Sequence, residues 1–294
     1  MTSPPEAPPP PPLWSVLRRE GYACAAAQLR HPLDAYARLQ ALRLALCPVD
    51  FWRFAEFPAV LNAYRGEACV FDLGSPRLLA RYLVRAHRAR VVTCDLSPSI
   101  ADEVRIYRRG VPEGLDGLRA DGMRLPIATG AFPFAYSVSV LEHIADEGDR
   151  AAMGELARIL APGGRLAVTV PCAPRHGEIW LEDDRFGAQA RRTDGKVFFS
   201  RLYDWDSARE RLVRTPGLDL VKARSWRVRD AGAFEQYQQA TARPRSVASV
   251  WAKLRDPSHA RRMLEECTAF EADITPRGVL LLEFEKRSNI ALDK

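Results

Sequence analysis

The sequence predicts an α/β fold, a mostly parallel sheet with helices on both faces. Three stretches carry that prediction. In the first, an apolar run, Cys69–Phe71, ends in Asp72 and Gly74; an amphipathic segment follows, with Leu78, Leu79, Tyr82 and Leu83 at helical spacing. A second apolar run, Val91–Cys94, then ends in Asp95, so the order is strand, turn, helix, strand. In the second stretch, the run Phe134–Val138 leads into a helical pattern carrying Met153, Leu156, Ile159 and Leu160. Pro162-Gly163-Gly164 closes that helix, and Leu166–Pro171 supplies another apolar strand. The third is the apolar run within Arg277–Glu285, which closes the chain as a buried strand.

Composition narrows the classes of protein. A chain of 294 residues buries one sizeable core with at most a small appended lobe. Net charge is +6, yet the arginines are spread over many segments without a dense basic block, so a nucleic-acid partner is not expected. No apolar stretch approaches the roughly 18 residues of a membrane span, and no membrane partner is expected. The N-terminus lacks the apolar core of a signal peptide. Six scattered cysteines, none in a CxxC pair, read as small apolar fillers in a reducing cytoplasm. His176, Asp183 and Asp184 match no ligand spacing, so no metal is expected. The preference for arginine over lysine suits a bacterial, high-GC coding sequence.

Each element then has its own signal. Residues 1–12 hold seven prolines and read as a disordered, extended tail. From Leu13 onward the pattern is helical. Trp14, Leu17, Tyr22, Ala25 and Leu29 form one stripe, and Leu33, Tyr36, Leu39, Leu42 and Leu46 a second. Phe51–Phe57 opens a third, aromatic-rich helix, with a kink expected at Pro58. Ser97 and Pro98 signal a helix start, continued by Ile100, Val104 and Ile106. Gly110–Gly117 reads as a loop, and Asp121-Gly122 as a turn after a third strand. Cys172–Tyr203 loses strand spacing and reads as a long linker on the active rim. Asp204–Leu212 is helical, Leu218–Trp226 alternates as a strand, and Phe234–Glu266 is largely helical, with breaks at Pro244 and Pro257.

Parallel sheets bind ligands beyond the carboxyl ends of their strands, and Asp72, Gly74 and Asp95 fall on that rim. Gly74 permits close approach of backbone to a ligand, and Asp95 is placed to accept from both hydroxyls of a ribose. The loop Asp72-Leu-Gly74-Ser-Pro76-Arg-Leu78 resembles that of the class I S-adenosylmethionine (SAM)-dependent methyltransferases. Those proteins carry acid-x-Gly-x-Gly-x-Gly; here Pro76 and Leu78 stand at the second and third glycines. The step Leu141-Glu142-His143, the turn Arg158-Ile-Leu-x-Pro-Gly-Gly164 and the strand after it resemble the type 11 group of that family.

The resemblance implies a Rossmann-like, seven-stranded, mostly parallel sheet whose last strand runs antiparallel beside the fifth. It implies an N-terminal helical cap over 13–66 and a methyltransferase domain over 67–294 with a helical insertion around 230–270. The implied cofactor is SAM, leaving as S-adenosylhomocysteine, held by Asp72, Gly74, Ser75, Asp95, Leu96, Asp121, Gly122, Met123, Ser139 and Val140. Asp121 is the implied adenine acceptor. His143 is read either as a base for the methyl acceptor or as a group lining the cofactor, with His176 a further base. Trp180, Arg201 and Tyr203 are the expected substrate contacts. The implied function is O- or N-methylation of a small molecule, a specialised metabolite, by a monomer or homodimer. The alternative is a catalytically degenerate relative that acts as a SAM-binding or interaction module.

Overall fold

A computed structural model describes residues 13–30, 34–182, 184, 192–241, 254–267 and 277–288. The proline tail, Leu33, Asp183, Pro244 and the side chain of Trp14 lie outside the described residues. Three helices come first: α1 (Leu13–Gln28), α2 (Ala35–Leu46) and α3 (Arg53–Ala63). The alternating core follows: β1 (Cys69–Leu73), α4 (Arg77–His87), β2 (Arg90–Asp95), α5 (Ile100–Arg108), β3 (Leu115–Arg119) and β4 (Phe132–Val138). A 3-10 turn, Leu141–His143, leads to α6 (Gly148–Ile159) and β5 (Leu160–Cys172). Then come β6 (Gly177–Leu181), β7 (Arg192–Thr193), β8 (Lys196–Leu202) and α7 (Trp205–Ala208), which runs on into a π-helical turn, Arg209–Val213. The chain closes through β9 (Leu218–Val228), α8 (Ala231–Thr241), α9 (Asp256–Met263), β10 (Leu264–Cys267) and β11 (Gly278–Lys286).

The main sheet has eight strands in the order β10-β9-β11-β5-β4-β1-β2-β3. The pairs β1–β2, β1–β4, β2–β3 and β4–β5 are parallel, and β11 runs antiparallel between β5 and β9. The expectation of an antiparallel last strand beside the fifth therefore holds, but the count of seven does not. The extra strand is β10, which pairs with β9 at the sheet edge. Its sequence, Leu-Glu-Glu-Cys, carries charge suited to an edge and was hidden behind the helical periodicity of α9. On the other edge, β3 begins inside the stretch expected as a loop; its anchor is Leu115, fully buried.

Helices cover both faces. Leu78, Leu79 and Leu83 of α4 and Val104 of α5 bury against one face, and Met153, Leu156 and Ile159 of α6 against the other. The first helix docks outside α4 through buried charge. Glu20 accepts from Arg81 Nε at 2.6 Å and also pairs with Arg85, while Arg81 Nη1 donates to the carbonyls of Tyr107 and Arg109. The second helix turns its expected stripe outward. Ala37, Ala41 and Leu44 are buried, whereas Leu39, Leu42 and Leu46 face solvent. Small side chains let α2 lie close to α1, and the larger leucines are left outside.

The linker expected over 172–203 is instead a three-stranded antiparallel sheet, β6-β8-β7. It sits at the rim: Cys172 at the end of β5 bridges to Tyr203 just after β8.

Candidate active site

The rim is built from the ends of β1, β2, β3 and β4. The turn after β1 is held from beneath. Asp72 is fully buried; its carboxylate accepts from Ser75 N at 3.1 Å and from Thr93 Oγ1 at 2.7 Å. Burial pushes Asp72 up to about 6, with the Arg77 guanidinium at 3.9 Å opposing the shift. Ser75 is buried too, and its hydroxyl accepts from Val138 N at 2.9 Å, tying β1 to β4. Asp72 and Ser75, both expected cofactor contacts, brace the turn from within.

Above them, Gly74 has φ +65°, and a Cβ there would come within 2.8 Å of Val140 Cγ1. Val140 therefore packs directly on Gly74. Leu78 turns into the core, 2 % exposed, so it does not enter the rim, and Pro76 precedes the first residue of α4. The missing glycines are replaced by a different device, Arg77. Its guanidinium donates to Ser75 O and to Asp95 Oδ2, both at 2.5 Å, and lies 3.2 Å from Glu103.

Asp95 keeps 28 % of its side chain exposed; Oδ2 meets Arg77 and Oδ1 accepts from Ser97 N at 2.9 Å. A carboxylate offers about four acceptor sites, so each oxygen retains capacity for a hydroxyl. Beyond β3, Asp121 accepts from Met123 N at 2.9 Å within its turn and remains partly exposed, beside half-buried Gly122. Leu96 and Met123 are exposed apolar side chains on the same rim. Two partly exposed carboxylates flanked by apolar groups suit an adenosine, whose hydroxyls and amino group donate and whose ring needs apolar faces. The residues present fit the nucleoside end of SAM.

At the end of β4 the third helix enters the site. Glu56 of α3 is fully buried; Oε1 accepts from Ser139 Oγ at 2.5 Å and Thr169 Oγ1 at 2.8 Å, and Oε2 pairs with Arg53. Ser139 takes a left-handed conformation, φ 52°, to make this bond. Glu142 is buried beside Glu56, and its Oε2 has no hydrogen-bond partner among the described residues. Burial, reinforced by Glu56, pushes the Glu142 carboxyl up to about 8, although its own backbone N–H, Arg53 and Ser139 oppose the shift.

His143 follows, with Nδ1 2.6 Å from the carbonyl of Phe199 on β8. A carbonyl only accepts, so Nδ1 carries the proton and Nε2 is the basic nitrogen. Nε2 lies 3.8 Å from Glu142 Oε1, and the side chain is 26 % exposed. Burial lowers the imidazole pKa and Arg53 adds to the effect, against the Phe199 bond.

The other expected contacts divide. Trp180 is half-buried, edge-on to Phe198 at 5.5 Å, in the small sheet that also carries Phe199. His176 is exposed, and its backbone N–H donates to Asp204 at the start of α7. Arg201 and Tyr203 are both buried: Arg201 Nη1 lies 3.0 Å from Asp149 Oδ2, and the Tyr203 hydroxyl donates to it at 2.8 Å. They fasten the small sheet to α6 and present no face to an acceptor.

Sequence reasoning missed Arg53, Glu56, Arg77 and Phe199. Only Glu56 left a trace. It is the one acid in Phe51–Ala63, among Phe54, Phe57 and Val60 at helical spacing, and so lies on a face otherwise built for burial.

The geometry agrees with what the chain resembles. A family model described as a methyltransferase domain matches residues 71–168, the segment that runs from β1 to β5. Residues 71–168 are thus similar to a methyltransferase domain. An O-methyltransferase, resE, of Aspergillus sclerotiorum is 31% identical over 124 residues, covering 41% of this chain and 46% of that protein. The demethylmenaquinone methyltransferase of Thermus thermophilus is 40% identical over 99 residues, covering 33% and 43%. The chain therefore spans less than half the length of these methyltransferases. Among solved structures, a SAM-dependent methyltransferase from Mesorhizobium loti aligns with a TM-score of 0.46 at 20% identity, over 79% of this chain and 98% of that one.

Proposed function

We propose that the protein transfers the methyl group of SAM to an oxygen or nitrogen of a small-molecule acceptor. The observation that carries this reading is the pair of partly exposed acids, Asp95 and Asp121, at the ends of consecutive parallel strands within the segment similar to a methyltransferase domain. Asp95 holds the ribose hydroxyls and Asp121 the adenine amino group, with Leu96 and Met123 against the ring. SAM supplies an electrophilic methyl, so the protein has chiefly to position the acceptor and exclude water.

For a hydroxyl acceptor, Nε2 of His143 takes the proton, and the Phe199 carbonyl keeps the imidazole in the tautomer that allows it. Phe199 offers aromatic surface for the acceptor beside that nitrogen. The relatives named as O-methyltransferases support oxygen as the accepting atom. A specialised metabolite as acceptor, a bacterial source and a cytoplasmic location complete the proposal; all six cysteines are free thiols, which suits a reducing compartment.

A second reading has one observation behind it. Pro76 and Leu78 replace two glycines of the turn, and Arg77 bridges it to Asp95, as in a fold kept for ligand binding without turnover. Calorimetry with SAM and S-adenosylhomocysteine, followed by mass spectrometry of acceptor mixtures, separates the two. The transferase reading expects tight binding, a methylated product, and a ten- to hundredfold weaker Kd in Asp95→Ala, about 1–3 kcal/mol. Binding without product leaves the second reading; absence of binding by either ligand overturns both.

A further inference from the structure

The side chains around Asp95 form a closed ring. Arg77, the first residue of α4, sends Nη2 to Asp95 Oδ2 at 2.5 Å. Asp95 Oδ1 accepts from the backbone N–H of Ser97 at 2.9 Å. The hydroxyls of Ser97 and Ser99 meet at 2.8 Å, and Ser99 donates to Glu103 Oε1 at 2.9 Å. A hydroxyl has one proton to give, so Ser97 is the donor between the two serines. Glu103, in the first turn of α5, returns to Arg77: its Oε2 lies 3.2 Å from Nε. That last link is an ion pair, since Nε makes no aligned hydrogen bond among the described residues.

Burial makes the ring directional. The Arg77 side chain is 4% exposed, whereas Asp95 and Glu103 keep 28% and 27% open to the rim. A buried guanidinium has to be neutralised and its donors used. Here Nη1 reaches Ser75 O, Nη2 reaches Asp95 and Nε faces Glu103, three directions that the planar fork of arginine supplies and the point charge of lysine does not. With one oxygen on Arg77 and the other on Ser97, the Asp95 carboxylate cannot rotate without breaking both bonds. Its orientation is set by α4 and the start of α5 before any ligand arrives.

We propose that Arg77 and Glu103 are positioning residues for nucleoside binding: Arg77 fixes the carboxylate of Asp95, and Glu103 fixes Arg77. The proposal rests on the reading that Asp95 holds the ribose of SAM. Neither residue touches the ligand; both act through Asp95. A carboxylate free to turn has to be ordered when the ribose hydroxyls bind, and that cost weakens affinity. One already held at both oxygens is presented ready, with acceptor capacity left on each. Glu103 is thus part of the cofactor site although it lies eight residues beyond Asp95, on the next helix.

The test is calorimetry of the full chain with S-adenosylhomocysteine, arranged as a double-mutant cycle. Glu103→Gln should raise Kd about three- to tenfold and Arg77→Lys about tenfold or more, with far-UV circular dichroism unchanged in both. On an Asp95→Ala background the same substitutions should change Kd less than about twofold, because the group they position is gone. A role confined to stability would lower Tm and weaken binding by the same factor whether Asp95 is present or absent. Equal factors on the two backgrounds would overturn the proposal, as would wild-type affinity in Glu103→Gln and Arg77→Lys. Glu103 is partly exposed, so Glu103→Gln carries the cycle alone if Arg77→Lys does not fold. A wild type that binds neither SAM nor S-adenosylhomocysteine is a separate result: it defeats the cofactor reading itself, and this proposal with it.

Discussion

Glu142→Gln should make the protein more stable, and increasingly so as pH rises. Glu142 is 3% exposed, its Oε2 lacks a partner among the described residues, and Glu56 lies beside it. Glu56 already has Arg53, Ser139 and Thr169, so Glu142 is the member of the pair that keeps its proton. Its carboxyl titrates near 8 in the folded chain, against 4.5 as an ordinary glutamate. The folded state therefore holds a proton that the unfolded state releases. The stability this contributes is complete below about pH 4.5 and is lost as pH climbs to about 8. At about 1.4 kcal/mol per unit, the loss reaches roughly 3 kcal/mol at pH 7 and is capped near 5 kcal/mol. Local opening that lets water reach the carboxylate would trim it to about half. Glutamine imitates the protonated acid and does not titrate. Urea unfolding of both proteins from pH 5 to 8.5 should show nearly equal stability at pH 5 and a gap that grows from about 1.5 kcal/mol at pH 7 to about 2.5 kcal/mol at pH 8.5. A gap that stays flat or narrows with rising pH would refute the reasoning, because it would mean that Glu142 is ionised and paired in the folded chain.

Three more outcomes follow from the site. His143→Gln should lower kcat on a hydroxyl acceptor by about 100-fold or more while leaving the Kd for SAM unchanged in calorimetry. In the wild type, the acid limb of the rate profile should fall below pH 6.5, since burial lowers the imidazole and a weaker base stays unprotonated further into acid. Tyr203→Phe should cost about 1 kcal/mol by denaturation, because Asp149 loses a buried donor but keeps Arg201 and Arg211, and KM for the acceptor should not move.

The sheet was legible because its central strands are surrounded on both faces. Val70, Phe71 and Val91 are entirely buried, and a strand so placed must be a continuous apolar run, which periodicity can find. Asp95 and Asp121 were legible for the same reason, as acids that end or closely follow such strands. The edges gave no such signal. In β10, Glu265 and Glu266 sit within a strand at the sheet margin, and β6–β8 mix Glu178, Lys196 and Arg201 with aromatics because their sheet is neither fully buried nor fully exposed. In α2, spacing showed that apolar stripes exist but not which one turns inward. The choice went to Ala37 and Ala41 because the close fit to α1 rewards small side chains over large ones.

The loop after β1 shows why the glycine pattern was an incomplete guide. Repeated glycines serve that turn by letting backbone approach both a ligand and the next helix. Here the approach to β4 is kept at Gly74, where Val140 leaves no room for a side chain. The rest of the turn is fixed by charge: Asp72 from below, Arg77 across the top, and Asp95 at the far end of the bridge. A bridge of this kind binds the turn to β2 and sets Asp95 in place, at the cost of sharing one carboxylate oxygen. Any ribose must therefore meet Asp95 through its remaining acceptor capacity, with Arg77 close by to offset part of the negative charge. Loss of the later glycines thus moves the ordering of the turn from backbone freedom to a guanidinium, and it leaves the acid at the end of β2 partly open to solvent.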